Sequence, residues 1–406
     1  MPQEIANSLE LAEGLKDLQK ADLLFCDGAD SFLQSGFWGG FKTRFGWEAF
    51  AFRAVWESAV SPLRETTGVV EKPLLVLHRR LAPGFALAYI PWGPELPGIY
   101  ADGIYADGVN AARESALREL AISLKKMLPR DTVFIRFDIP WYTIGESPPS
   151  GPPPPFVRSH VDVQTPDTVL IDLSLSMESV IEQMKPKWRY NARLALKRGV
   201  SVHRAGAERL DVFYELLKET ANRDGIAIHG AEYYRALFQS ASYDDEYPGK
   251  KPDIRLYLAQ HEGDVLAGIV TLFRGPSAVY LYGASSSKKR NLMAPYALQV
   301  KAMEDAREAG CVEYDLYGIP PNNEPNHPMA GLYLFKTGFG GKIVHRPGCW
   351  DYPCYNLLYR VYFFAEKVRE ALLNKRKKNL PRTDTNPRIS HGGHRGKTTE
   401  EHGGKL

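Results

Sequence analysis

A lysine among aromatic and glycine residues is the feature of this sequence that most directly suggests chemistry. Lys336 lies between Phe335 and Phe339 in the stretch 331–341, GLYLFKTGFGG. Glycine permits close backbone approach and positive φ. A lysine in a partly dry site acts strongly on an anion, because the local dielectric is low. The motif allows two interpretations: an anion-binding lysine, or a β-turn that carries a surface lysine, which the residues alone favour.

A basic segment with helical spacing is the second such feature. Pro186 suits a first helical turn, and Gly199 suits the position just past a helix end. Between these positions the sequence has no Asp or Glu. Spacing of four residues places the cations along one stripe of a helix. The stripe predicts a track for RNA phosphates, with a solvated helix face as the alternative. Its members are Lys185, Arg189, Arg193 and Lys197.

These motifs together resemble the FemABX family of peptidoglycan interpeptide-bridge aminoacyltransferases. The stretch 32–47 reads FLQSGFWGGFKTRFGW, and 176–200 reads SMESVIEQMKPKWRYNARLALKRGV. YDLYGI at 314–319 and HPMAGLYLFKTGFGG at 327–341 complete the resemblance. Because 207–247 shows no sustained heptads, the chain resembles the short form without a coiled-coil arm.

The resemblance implies a catalytic role for the lysine motif. Lys336 matches a family lysine that handles the end of aminoacyl-tRNA, and Phe335 belongs to the same Phe-Lys pair. The basic stripe at 185–197 is then expected to bind the tRNA.

The resemblance also implies a site for the diphosphate of a nucleotide-linked wall precursor. Lys42 matches one diphosphate contact and Arg223 a second, and guanidinium binds phosphate bidentately. The alternatives are an exposed helix lysine at position 42 and a salt bridge from Arg223 to Asp224 or Glu219.

Two tyrosines are expected to line the pocket of the precursor. Tyr282 lies in YLYGASS, and Tyr89 lies in YIPWGP, another stretch that matches the family. Core packing is the expected use of Tyr280 in the same stretch.

The reaction expected from this family is aminolysis of an ester by a side-chain amine of the stem peptide. The amine, with an ordinary pKa of ~10.4 if it is a lysine, must lose a proton, and the tetrahedral intermediate needs a partner for its oxyanion. Lys336 is the candidate for that charge or for holding the tRNA terminus. Asp315 is a candidate general base, with loop capping as its alternative, and the substrate's own groups could also pass the proton.

Two similar runs of strand, turn, strand, helix and strand must position these residues. The first precedes the six prolines of 147–155, and the second spans 255–316. This repeat predicts an α/β (α+β) chain built from a duplicated unit. The resemblance implies two tandem domains, each resembling the GCN5-related N-acetyltransferase fold. We expect the first domain, which binds the precursor, at 1–160 and 347–378. The second, for the tRNA end and catalysis, is expected at 161–346, with a disordered tail at 379–406.

Composition and net charge limit the kinds of partner and compartment that we expect for this chain. The 406 residues carry a net charge of +3, so an anionic partner must be held by a local basic patch. Four cysteines indicate no disulfide framework, and the N-terminus lacks a signal peptide pattern. We expect a cytoplasmic monomer with no cofactor and no metal. The basic run 375–378 favours contact with the inner membrane surface, and a solvated terminus is its alternative.

Two rival functions stay open at this level. An acyl-CoA N-acyltransferase would hold pyrophosphate on a glycine-containing loop at a helix start, but the matching segment 290–295 contains no glycine. A non-catalytic RNA-binding protein would use the basic helix and leave the two lysine–aromatic motifs unexplained.

Overall fold

A computed structural model describes most of the chain. The tail predicted at 379–406 lies outside the described residues, apart from Asn379. The described residues are 11–59, 68–97, 107–145, 148–242, 247–325, 327 and 329–379.

The described residues form fifteen strands and nine α-helices. The strands are β1 Leu11–Ala21, β2 Glu48–Ala59, β3 Gly68–Ala82, β4 Phe85–Ile90, β5 Thr132–Asp138, β6 Thr143–Ile144, β7 Val157–Arg158, β8 Thr168–Asp172, β9 Ser201–Ala205, β10 Asp253–His261, β11 Asp264–Arg274, β12 Ser277–Ser285, β13 Glu313–Asp315, β14 Lys342–His345 and β15 Cys349–Pro353. The helices are α1 Gly36–Thr43, α2 Asp107–Met127, α3 Met177–Gln183, α4 Pro186–Lys197, α5 Leu210–Asp224, α6 Ala231–Ala241, α7 Ala294–Glu308, α8 Ala330–Thr337 and α9 Asn356–Asn379. Short 3-10 helices occupy Phe25–Gly28, Phe32–Gln34, Ala207–Arg209 and Arg290–Leu292.

The strands form two sheets of the same plan. The first has the order β1-β2-β3-β4-β5-β15-β7, and the second has the order β6-β14-β8-β13-β12-β11-β10-β9. Each contains one parallel pair, β4 with β5 and β12 with β13, among antiparallel neighbours. A helix, α2 or α7, crosses over between the two parallel strands, as parallel pairing requires. The predicted fold class, a duplicated α/β (α+β) unit in tandem, is confirmed.

The two sheets differ in which chain segments they use. The first sheet takes β15 from the C-terminal part of the chain, as the assignment of 347–378 to the first domain expects. β6 pairs with β14 in the second sheet, so the chain already contributes to that sheet before residue 160. The division into domains at 160/161 and 346/347 stays a prediction.

A shared hydrophobic core fixes the two sheets relative to each other. Phe37 and Phe41 of α1 belong to one buried cluster with Phe213 of α5 and Leu256 of β10. The rings of Phe41 and Tyr233 lie 5.0 Å apart, edge to face. Because α1 carries Lys42 in its last turn, this packing holds Lys42 against elements of the second half of the chain.

Candidate active site where the two sheets meet

Lys336 is a buried lysine at the end of α8. Its side chain is only 6% exposed, and Nζ donates hydrogen bonds to the carbonyl oxygens of Tyr317 at 2.9 Å and Gly318 at 3.0 Å. Nζ also lies 5.1 Å from the ring centroid of Tyr280. Burial lowers the pKa of Lys336 to about 7, against the opposing effect of nearby Asp315. The predicted dry lysine is therefore observed, and the β-turn alternative is wrong.

The protonation state of Lys336 decides what this lysine can do chemically. A charged ammonium has three N–H donors, and the two carbonyls take two of them. The third N–H is then available to an oxyanion, where a charge in a low-dielectric site acts strongly. With a pKa of about 7, the amine carries this charge for part of the population near neutral pH.

Asp315 positions the loop that binds Lys336. The buried carboxylate accepts a short hydrogen bond from the Thr168 hydroxyl and a 2.7 Å bond from the Tyr317 N–H. Tyr317 has a φ of 56°, an uncommon conformation for a residue with a side chain. Burial raises the pKa of Asp315, while Arg346, Thr168 and other neighbours oppose the rise. These contacts match the capping alternative for Asp315, and its role as a general base stays a prediction.

A hydrogen-bond chain joins Lys336 to Tyr89 of the first sheet. The Tyr317 hydroxyl donates to the side-chain oxygen of Gln164, and Gln164 Nε2 donates to the Tyr89 hydroxyl at 3.4 Å. Tyr89 in turn donates to Asp138 Oδ2 at 2.8 Å, and burial raises the pKa of Asp138 to about 7. Lys336 donates to the main-chain carbonyl of Tyr317, so Lys336 is connected to this chain through the covalent structure of Tyr317 and not by a further hydrogen bond.

Lys42 lies in a cage of aromatic rings. Its Nζ is 5.5 Å from the Trp38 centroid, 6.0 Å from that of Trp47 and 5.5 Å from that of Tyr233. The Arg79 guanidinium lies 5.4 Å from the Trp47 ring. Burial, and then the charge of Arg79, lowers the pKa of Lys42 to about 8. Two cations lie against one group of aromatic rings here, and a lysine beside an arginine is a pair of donors that suits phosphate oxygens.

Tyr282 belongs to the same aromatic group as Lys42. Its ring meets Tyr234 edge to face at 5.1 Å, and its hydroxyl interacts with Tyr233. Since Tyr233 also faces Lys42, the structure brings Tyr282 and Lys42 together around one ring. His229 stacks on the other side of this assembly, 3.9 Å from the Tyr233 centroid.

The Arg223 guanidinium pairs with other groups of the protein. At the end of α5 its guanidinium pairs with Asp224 at 2.9 Å and donates to the Ser285 carbonyl at 2.8 Å. This is the salt-bridge alternative named above, and it directs the guanidinium to Asp224 and to the end of β12. The second diphosphate contact stays a prediction that requires the Asp224 pair to open.

The basic helix is only partly the predicted stripe. Arg189 turns toward α3, where it donates to the Glu182 carbonyl at 2.8 Å and also to that of Met184. Exposed cations remain at Lys185, Arg193 and Lys197. The outward face of α4 instead combines cations with an aromatic ring, because Tyr190 is 62% exposed. Lys187 is also exposed.

Trp188 connects α4, the basic helix, to the segment that contains Lys336. Its Nε1 donates to the Phe335 carbonyl at 2.8 Å. A Cβ at Gly338 would lie 2.0 Å from the Trp188 ring, so only glycine allows this approach. The Phe335 ring packs against Tyr296 at 5.3 Å and Phe339 at 5.1 Å. Phe335 is therefore a packing residue of this contact, while its assignment to the catalytic pair stays a prediction.

Three residues of this site were missed from the sequence. Gln164 lies in the stretch VQTPDT, and Asp138 ends a strand before Ile-Pro. Arg79 lies in the run HRR just before a turn. A strand-end acid and a cationic run beside a turn are weak signals, and only the fold brings them to the two lysines.

Two further properties concern metal binding and the crossing of a membrane. Among the described residues, no group of three or more His, Cys, Asp and Glu side chains could hold a metal ion. Within the same residues, every helix is too short or too polar to cross a bilayer.

Comparison with known proteins identifies relatives of this architecture. A model of the FemAB family matches residues 158–247 and 255–367. A lipid II:glycine glycyltransferase of Staphylococcus haemolyticus (strain JCSC1435) is 26% identical over 276 residues, covering 53% of this chain and 66% of the relative. The enzyme of the same name from Staphylococcus aureus is 24% identical over 279 residues, with the same coverage. The chain thus spans just under two thirds of the length of these relatives.

A solved structure shows the same fold. The crystal structure of FemX superimposes with a TM-score of 0.65 and 19% identity, covering 86% of this chain and 100% of that one. At this identity the likeness concerns the fold alone.

Proposed function

Because the chain belongs to the FemAB family, we propose that it is an aminoacyltransferase acting on a peptidoglycan precursor. The donor is aminoacyl-tRNA, and the acceptor is the side-chain amine of a stem peptide, so that the product carries part of an interpeptide bridge. Relatives named lipid II:glycine glycyltransferase support this class of acceptor. The protein is proposed to work as a monomer in the cytoplasm.

One observation carries the proposal: the connection between the Lys42 cage and Lys336. The chain from Lys336 through Tyr317 and Gln164 reaches Tyr89, whose ring lies 6.2 Å from that of Trp47 in the cage. An enzyme that joins two polyanionic substrates needs two cationic sites at one junction, since positioning converts a bimolecular step into an intramolecular one. A protein that only binds RNA has no use for the second site.

The proposed reaction is ester aminolysis. The deprotonated acceptor amine attacks the ester carbonyl carbon, and a C–N bond forms as the carbonyl oxygen becomes an oxyanion. The C–O bond to the terminal ribose then breaks, and the leaving ribose oxygen takes up the proton that the amine gives up. The free N–H of charged Lys336 is proposed to stabilise the oxyanion or to hold the tRNA end.

The outward face of α4 is proposed to bind the tRNA backbone. Its cations contact phosphates, and the exposed ring of Tyr190 offers a surface on which a base can stack. Because Trp188 joins α4 to α8, tRNA held on this face is fixed relative to Lys336.

The experiment is transfer of a labelled amino acid from charged tRNA to a muropeptide precursor, offered in UDP-linked and lipid-linked form. We expect a labelled product whose formation is abolished by RNase. We also expect that acetyl-CoA cannot replace the charged tRNA as the donor. Lys336→Met is expected to remove most transfer, while Lys197→Gln on α4 raises the KM for tRNA only. Turnover with acyl-CoA alone would establish the rival N-acyltransferase. RNA binding without transfer to either acceptor would favour the non-catalytic rival.

A further inference from the structure

An apolar stripe runs along the outward side of α9. Val361 is 63% and Phe364 68% exposed. Spacings of three and four residues place the stripe on one side of a helix. A continuous exposed apolar surface of this kind marks a place of interaction. The stripe consists of Leu357, Val361, Phe364, Val368 and Leu372.

The inward side of α9 is already occupied, so the stripe cannot turn inward. The Tyr359 hydroxyl donates to buried Asp351 at 3.0 Å. Glu366 pairs with Arg136 at 3.2 Å and accepts from the Tyr362 hydroxyl at 2.7 Å. Rotating α9 would take Glu366 away from buried Arg136 and the Tyr359 hydroxyl away from buried Asp351. Buried charges that lose such partners are strongly unfavourable. The stripe is therefore a fixed outer surface.

The helix that carries the stripe is strongly basic. It has seven cations against two acids, and one of those acids, Glu366, faces Arg136 on the inward side. Exposed Arg360, Lys367 and Arg369 flank the stripe, and the sequence KRKK follows at 375–378. An apolar face bordered by cations is the pattern of a helix that lies in the interface of an anionic bilayer.

We propose that the stripe of α9 docks the protein on an anionic lipid surface. Aliphatic and aromatic side chains enter the region below the headgroups, and the flanking cations contact lipid phosphates. A second copy of the chain fits the stripe less well, because pairing two such helices places cations beside cations. The chain's own segment 380–406 has only three large apolar residues, Leu380, Ile389 and Leu406, which are too few to cover the stripe.

This inference goes beyond the proposed transfer reaction and does not depend on it. Docking would confine the enzyme to a surface, and a lipid-linked acceptor would share that surface. Vesicles without any precursor test the docking alone, so its failure and a failure of the transfer reaction are distinguishable.

The test is sedimentation of the full chain with vesicles of phosphatidylcholine, with or without phosphatidylglycerol. We expect binding to the anionic vesicles that weakens with salt. Val361→Ser combined with Phe364→Ser is expected to lower the partition coefficient at least about tenfold. Ile122→Ser, at a 40% exposed position on α2, is the matched control and keeps wild-type binding. Lys375→Gln with Lys377→Gln reduces binding to anionic vesicles only.

Several results would overturn the proposal. Wild-type protein that stays in the supernatant with anionic vesicles would do so, as would a double serine variant that binds as tightly as wild type. Sedimentation velocity adds a further outcome: a dimer that the double variant abolishes would assign the stripe to a second copy. Circular dichroism and the thermal midpoint verify that each variant is folded.

Discussion

Replacing Lys336 with methionine is expected to stabilise the fold while it removes activity. The fall in the pKa of Lys336 from 10.5 to about 7 corresponds to about 5 kcal/mol of unfavourable free energy for the buried charge, at about 1.36 kcal/mol per pH unit. Methionine removes this cost and also removes two hydrogen bonds from a charged group, worth about 1.5 kcal/mol each. The variant is therefore expected to be about 2 kcal/mol more stable near pH 7.

The stability difference between wild type and Lys336→Met is expected to depend on pH. Below the folded pKa of about 7, the lysine is charged in both the folded and the unfolded protein, and the full cost is present. Above it the folded amine is neutral while the unfolded amine stays charged up to 10.5, so the cost falls by about 1.36 kcal/mol per pH unit. The advantage of methionine should shrink by about 2 kcal/mol between about pH 7 and about pH 9.

Urea unfolding followed by circular dichroism measures this difference at both pH values. The control is Lys197→Met on the exposed face of α4, which is expected to change stability by less than about 0.5 kcal/mol at either pH. An equal stability difference between wild type and Lys336→Met at both pH values would refute the argument that burial deprotonates Lys336. Transfer assays on the same samples then show whether activity is lost in a protein that is more stable.

Three further predictions concern the other parts of the site. Lys42 carries its charge below its pKa of about 8, so the KM for a UDP-linked precursor should rise above about pH 8 in wild type and stay flat in Lys42→Arg, measured by initial rates. Gly338→Ala should destabilise the protein by about 2 kcal/mol in urea unfolding, because the new Cβ meets Trp188 at 2.0 Å, and an unchanged midpoint would contradict the close approach. Arg193→Gln should raise the KM for tRNA more at low salt than at high salt, whereas Arg189→Gln, whose guanidinium faces α3, should leave that salt dependence as it is in wild type.

The sequence predicted the repeated plan because periodicity and turns are local properties. The helix of the second run is found at Ala294–Glu308, and the basic helix begins at Pro186 as expected. A local pattern also drew attention to Lys336, whereas Lys42 came from the family resemblance. Local patterns could not tell which way the Arg189 side chain turns, because spacing places a residue on a helix face but does not fix its rotamer. They named the Arg223–Asp224 salt bridge only as an alternative to an anionic ligand, since either partner suits a guanidinium.

The link between Lys42 and Lys336 could not be predicted from the sequence. Gln164 and Tyr89 are 75 positions apart, and Tyr317 is 153 positions from Gln164, so no local pattern connects them. Tyr89 and Asp138 are buried, whereas Gln164 and Tyr317 are half-buried, and each of these polar groups hydrogen-bonds to the next. Removing Gln164 would leave the Tyr317 hydroxyl without its acceptor and Tyr89 with Asp138 alone. The link therefore holds both halves of the chain in one arrangement, so the distance between the two cationic sites is set before either substrate binds.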